Sequence, residues 1–375
     1  METSMKLAAA WRCSMALLFL AVTVDTRADL LVLRPGGSGF AHTAVLRFDE
    51  ANGSFINEFS ADSEGFAGLT IGPDKRVYVT GNILGFGDIF RFTSSGTVLG
   101  KFGGANLTVP GGLKFGPDGN LYATSIVFPS DTQQGQVLRY HGTNGTFLNP
   151  FIPAGTGGLA TPQDLIFCDN GFLYILDSTL GILRYQATNG EFDSNFIPLG
   201  RGGLSDPSAI ACGFDKHIYV ASATGNSVLR FHSDTGAFLN TFVASGSGGL
   251  DRPAGLAFGP DGRLYISSFN THSILRYDGT NGAFLNTFIA PGTGGLFSPT
   301  ALAFSPRSPR LSIIRTGVNV IFLWPTNFFD FQLTGTTNLT TNWTSILPEP
   351  VITGANYVVT NTLATAARFY RLERP

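Results

Sequence analysis

Five side chains in this sequence stand where chemistry could be done: Gln163, Asp164, Asp177, His42 and His272. Gln163 and Asp164 open a segment whose counterparts begin with small residues, Gly111-Gly112, Ala254-Gly255 and Thr300-Ala301, and breaches of a local rule tend to mark functional positions. An amide beside a carboxylate suits contact with a polar ligand. Asp164 could equally cap a nearby glycine-rich loop by accepting its backbone N–H groups. Asp177 follows a Leu-Tyr pair where other segments carry Thr124, Ser222 or Ser268. With Asp164 it could hold a divalent metal, or do acid–base work if the two carboxyls come within reach. His42 and His272 fall in loops that could approach each other, but zinc takes three or four ligands and no third accompanies them. His141, His217 and His232 belong to turns or outer strands that do not converge with that pair.

The elements that must position these residues are repeats. An apolar-Arg-aromatic tripeptide recurs around Arg47, Arg91, Arg139, Arg184, Arg230 and Arg276, at spacings of 44, 48, 45, 46 and 46 residues. That period matches a four-stranded propeller blade and exceeds the 20–30 residues of a solenoid coil. Each period reads as four short strands. The first is small and apolar and ends in a turn such as Gly259-Pro260-Asp261-Gly262, where Pro presets φ and Gly accepts a positive one. The second carries Leu-Tyr, the third the Arg motif, and the fourth a Phe-x-x-x-Phe pattern after a Gly-containing hairpin loop. Residues 29–59 lack a first strand, and Thr300 to Phe304 supply it at the far end. The expected fold is therefore all-β: a six-bladed propeller over residues 29–306, closed by pairing one C-terminal strand with three N-terminal ones. Small inner-strand residues suit a crowded axis, and the phenylalanines fill the wedges between blades.

Residues 311–375 lose the period and read as alternating strands of a small β-sandwich-like module. At the other end, Lys6 and Arg12 precede an apolar stretch from Met15 to Val24, and Thr26-Arg27-Ala28 offers small residues for cleavage before Asp29. Residues 1–28 are thus expected to be a signal peptide, and the mature chain to be secreted, extracellular or on the cell surface, without a membrane span. An uncleaved anchor is the alternative. Export leaves Cys168 and Cys212, which occupy slightly different repeat positions; two buried thiols are expected, with a disulfide as the other outcome.

Composition limits the partners. Charged residues make up 13% of the chain, about half the usual share, and the net charge of −2 offers no basic field for nucleic acid. The six arginines sit mid-strand, away from the axis, so they are expected to stack on interblade aromatics or to pair with turn aspartates such as Asp74, Asp118 and Asp261.

The repeated Phe-Gly-Pro-Asp-Gly-x-Leu-Tyr (Phe115 to Tyr122, Phe258 to Tyr265) followed by Ser-x-Leu-Arg-Phe (Ser227 to Phe231) resembles the NHL-type six-bladed propellers. More loosely, it resembles the group containing virginiamycin B lyase-like and gluconolactonase-like proteins. The resemblance covers roughly residues 29–306 and implies a fold rather than an activity. It implies that an Asp at the position of Asp177 is structural. The lactonase metal set, the His-rich zinc site of amidating lyases and the His and Glu pair of virginiamycin lyases find no match here. The tail, through Leu323-Trp324-Pro325, Thr336-Thr337-Asn338-Leu339 and Arg368 to Leu372, resembles C-terminal modules of exported verrucomicrobial and planctomycete-type proteins, which implies a bacterial source and an appendage for display. The leading expectation is a non-catalytic, monomeric scaffold with no cofactor, whose loops bind a protein or carbohydrate. The alternative is a lyase or lactone hydrolase at the propeller mouth, with a divalent metal near Asp164 and Asp177.

Overall fold

A computed structural model describes residues 28–36, 43–60, 65–83, 86–129, 132–305, 312–316, 319–325, 332–336, 344–346, 349–354, 356–362 and 369–373. The expected signal segment before Ala28, and His42, lie outside these residues.

Residues 28–306 form one compact unit of six four-stranded antiparallel sheets. The inner strands of blades II to VI are Gly65–Ile71, Val109–Phe115, Pro162–Phe167, Pro207–Cys212 and Pro253–Phe258. Blade I takes its inner strand, Leu302–Phe304, from the far end of the repeats and its other three, Asp29–Arg34, Ala44–Asp49 and Phe55–Phe59, from the near end. The register is Leu30 to Phe304, Leu31 to Ala303 and Val32 to Leu302, extended by Thr300 N–H to the Leu33 carbonyl at 2.9 Å. Each inner strand lies beside those of its two neighbours, round from blade I to blade VI and back. The ring and its 3+1 closure are as the repeat count predicts.

The core is divided among the blade junctions. Six apolar clusters lie one to each junction; that between blades V and VI joins Tyr219 and Phe242 to Leu256, Leu264 and Tyr277. Repetition places the same contacts in several blades: the Tyr265 ring meets Phe288 and Phe304 edge-on at 5.0 and 4.9 Å, as Tyr122 meets Phe151 and Phe167 at 4.9 Å. The Tyr hydroxyls donate to turn aspartates, Tyr78 to Asp74 at 2.8 Å and Tyr122, Tyr219 and Tyr265 to Asp118, Asp215 and Asp261 at 2.9 Å. The buried ring is thereby satisfied at its one polar atom.

The repeated arginines take the structural role expected of them. Arg184 lies over Phe196 at 4.2 Å, Arg91 over Phe102 at 5.0 Å and Arg276 over Phe288 at 4.8 Å, while Arg139 pairs with Asp118 at 3.7 Å. The cysteines differ from expectation: Cys168 and Cys212 form a disulfide. Cys168 is the first residue of the turn after one inner strand and Cys212 the last residue of the next, so the one-residue offset brings their Cα atoms to 6.2 Å, within bridging range.

The second unit, described over parts of residues 312–373, holds two sheets. One has strand order Ser312–Thr316, Asn319–Pro325, Asn356–Thr362, Val351–Thr353, and the other Thr344–Ser345, Gln332–Thr336, Phe369–Glu373. They share a small core of Phe322, Trp324, Leu333 and Val359, with Tyr370 packed 4.4 Å from Phe322.

Candidate functional site

The inner strands surround an axial cavity of about 520 Å³. Its wall is mostly small side chains and backbone, because six strands converging on one axis leave no room for more. Hydroxyl groups stitch neighbouring blades together there: Thr80 donates to the Gly111 carbonyl at 2.8 Å, Ser208 to Pro253 at 2.6 Å and Ser267 to Thr300 at 2.6 Å. Those carbonyls are thereby occupied.

Two wall residues break the pattern. Asp164 stands where the other blades carry Gly68, Gly112, Ala209, Gly255 and Ala301. Its Oδ1 accepts the N–H of Leu165 at 2.8 Å, and the carboxyl lies against Gly112, where an added Cβ would come within 2.7 Å of Oδ1. It does not cap the glycine-rich loop. Enclosure by protein raises the Asp164 carboxyl above its ordinary value, and Lys114 and the Leu165 and Ile210 N–H groups only partly offset this. The side chain keeps some contact with the cavity, so the burial is in the wall of a channel rather than in an apolar core. The second residue, Lys114, was not singled out from the sequence, although the same test would have found it. Its counterparts are Thr70, Ile166, Ala211, Ala257 and Ala303. Gln163 is exposed beside Asp164, and Asp206 and Arg252 stand exposed at the mouth, in backbone conformations with φ of 48° and 54°.

Asp177 is elsewhere and otherwise engaged. Fully buried, it accepts the N–H groups of Ala160 (2.8 Å), Thr161 (2.7 Å), Thr179 (2.9 Å) and Leu180 (3.1 Å), with hydroxyl bonds from Thr161 and Thr179. Burial alone would raise its carboxyl, but the Thr179 hydroxyl and the backbone donors outweigh it and hold the group below its ordinary value. Other blades make the same cap with a hydroxyl: Ser222 accepts from Ser205 N–H and Ser268 from Asp251 N–H, both at 3.0 Å. In blade III the equivalent is Ser125, which accepts from Thr108 N–H at 3.1 Å, and not Thr124, which the strand register places opposite Val137, one residue off. Asp177 thus caps the incoming loop of its blade and does not line the cavity with Asp164.

His272 is also a structural clip. With φ of 55° it turns its Nδ1 to 3.1 Å from the Ser298 N–H and 3.0 Å from the Phe269 carbonyl, and its ring stacks on Phe297 at 3.9 Å. Asn226, at the equivalent position one blade earlier with φ of 49°, accepts the Arg252 N–H at 2.8 Å. Both side chains tie a loop to the next blade's first strand. On the opposite face His217 and His232 lie 5.1 Å apart, and no group of three metal-ligating side chains occurs among the described residues.

No protein-family signature and no curated protein matches the chain. Solved structures do. A chain of a nidogen/laminin complex superposes with a TM-score of 0.56 at 17% identity, covering 74% of this chain and 98% of that one. A putative 6-phosphogluconolactonase from Bacteroides fragilis gives 0.51 at 14% identity, covering 76% and 99%. Virginiamycin B lyase from Staphylococcus aureus gives 0.46 at 18%, covering 69% and 77%. At these identities the likeness is one of fold: the chain is a β-propeller.

Proposed function

We propose that the chain is an exported, non-catalytic propeller whose mouth binds a protein or carbohydrate ligand, with the C-terminal unit serving for attachment or sorting. One observation carries this reading. The acid and the imidazole best suited to chemistry, Asp177 and His272, are spent holding loops, whereas Gln163, Asp206 and Arg252 are exposed around an open channel. Rigid blades presenting exposed polar side chains at a concave mouth suit recognition. A lyase or lactone hydrolase that pairs Asp164 with Asp177 around a divalent metal has less to draw on, since the two carboxyls do not share a cavity. The nidogen/laminin neighbour fits a propeller that assembles with another protein. The Cys168–Cys212 disulfide fits an oxidising compartment, and with it the export signal expected before Asp29.

The test is to screen labelled protein against glycan and protein arrays beside the mouth variant Gln163→Trp with Arg252→Glu. Ligands that the wild type retains and the variant loses support the reading. Retention of every ligand by the variant would move binding away from the mouth. Export is checked by sequencing the N-terminus of protein recovered outside the cell, which should begin at Asp29.

A further inference from the structure

Some charges on this propeller are paired at contact: Arg47 with Asp29 at 2.5 Å, Lys101 with Asp88 and Arg184 with Asp193 at 2.6 Å, Arg139 with Asp118 at 3.7 Å. The channel holds no such pair among the described residues. Lys114, Asp164, Asp206 and Arg252 line it, two of each sign, and among the described residues none forms a salt bridge. Lys114 and Asp164 are, moreover, the only charged residues on any of the six inner strands.

They stand on adjacent inner strands. The Asp164 carboxyl rests against Gly112, and Lys114 follows two residues later, about 7 Å along the same strand at the usual rise of ~3.3 Å per residue. Side chains two apart on a strand share a face, and Lys114 and Asp164 both line the cavity. A monoanion in the cavity would gain Lys114 but meet Asp164; a monocation would gain Asp164 but meet Lys114. A dianion such as phosphate would fare worse beside Asp164. A ligand carrying both signs a few ångströms apart satisfies both walls at once. With the Gly111, Pro253 and Thr300 carbonyls accepting from hydroxyls, these two residues supply the charge on the inner-strand wall.

We propose that the axial cavity binds a small zwitterion, an α-amino acid or a compound of that kind, with its carboxylate on Lys114, its ammonium on Asp164, and Gln163 beside it on the channel wall. This rests on the reading of the mouth as the binding face and gives that face a ligand class. The cavity volume is in the range usual for small ligands.

The experiment titrates the full chain with glycine, acetate and methylammonium, followed by NMR shifts of the Gln163 side-chain amide and the Gly111 and Gly112 backbone. Glycine should saturate below about 10 mM and bind at least about tenfold more tightly than either singly charged probe. Lys114→Met and Asp164→Asn should each weaken glycine about tenfold or more with the melting transition retained, and Lys114→Arg should keep binding. Acetate binding as well as glycine would make the cavity a plain anion site and overturn the proposal, as would methylammonium doing so. Absence of saturable glycine binding, or glycine affinity unchanged in folded Lys114→Met, overturns it too. If the arrays yield a mouth ligand while glycine fails, the zwitterion falls and the binding face stands; if Gln163→Trp with Arg252→Glu spares every array ligand, the binding face itself falls.

Discussion

Blade VI follows the repeat rule closely and blade IV breaks it repeatedly, yet the two do nearly the same structural work. Blade VI braces Tyr265 with a turn aspartate and caps its incoming loop with Ser268. Blade IV has Asn170 donating to the Tyr174 hydroxyl at 2.8 Å, and Asp177 as the cap. Asp177 is therefore a stronger version of Ser268, not a new function. Asp164 has no such counterpart, since Gly255, its equivalent in blade VI, brings no side chain to the wall. A departure from a repeat points to function only when the structural role at that position has also changed.

The comparison breaks most readily at the cap. Asp177→Ala leaves four backbone donors without their acceptor and should cost on the order of 3 kcal/mol or more, against about 1 for Ser268→Ala, both read from urea unfolding. Equal costs would undo the claim that Asp177 is the stronger cap. Because the Asp177 carboxyl is held below the unfolded value of 3.8, its contribution is complete above that pH and fades as pH falls through the lower folded value. The gap between wild type and Asp177→Ala should narrow accordingly in acid.

At the wall, Gly112→Ala places a Cβ 2.6 Å from the Asp164 backbone and should cost about 1–3 kcal/mol, while Gly65→Ala, facing open space, should stay within about 0.5. Asp164→Asn should move the melting temperature the other way. A carboxyl raised in the folded state is penalised for ionising, and that penalty is absent below 3.8, where both states are protonated, and grows as pH climbs towards the folded value. The variant should therefore melt higher at neutral pH and match wild type in strong acid; lower stability at neutral pH would mean that Asp164 serves the fold. The smallest effect is expected of His272→Asn, which reproduces Asn226 and should leave stability within about 0.5 kcal/mol by calorimetry.

The fold was legible because it is written six times: a constant Arg spacing, a Gly-Pro-Asp-Gly turn and an orphan first strand fix blade number and closure without any single residue being decisive. The site was less so. An acid at an unusual position can be a cap or a ligand contact, and only the N–H groups around Asp177 and the open cavity beside Asp164 tell the two apart. Lys114 breaks the same rule as Asp164, at a position where the other inner strands carry Thr70, Ile166, Ala211, Ala257 and Ala303. Thr124 for Ser125 was a register slip of one residue, which in a strand selects the opposite face. The one-residue offset between Cys168 and Cys212 reads as a mismatch along the repeat, yet across adjacent inner strands it leaves their Cα atoms 6.2 Å apart, within bridging range.

The three-residue strand Leu302–Phe304 has a consequence for how the protein is made. Its partner Asp29 stands 276 residues from Ser305, whose hydroxyl it meets at 2.6 Å, so the ring closes only after the whole repeat region has emerged. Until then blade I shows an unpaired edge and the apolar junctions on either side of it are incomplete, a state prone to aggregate or be degraded. The closing strand therefore makes completion of the ring conditional on synthesis through Phe304.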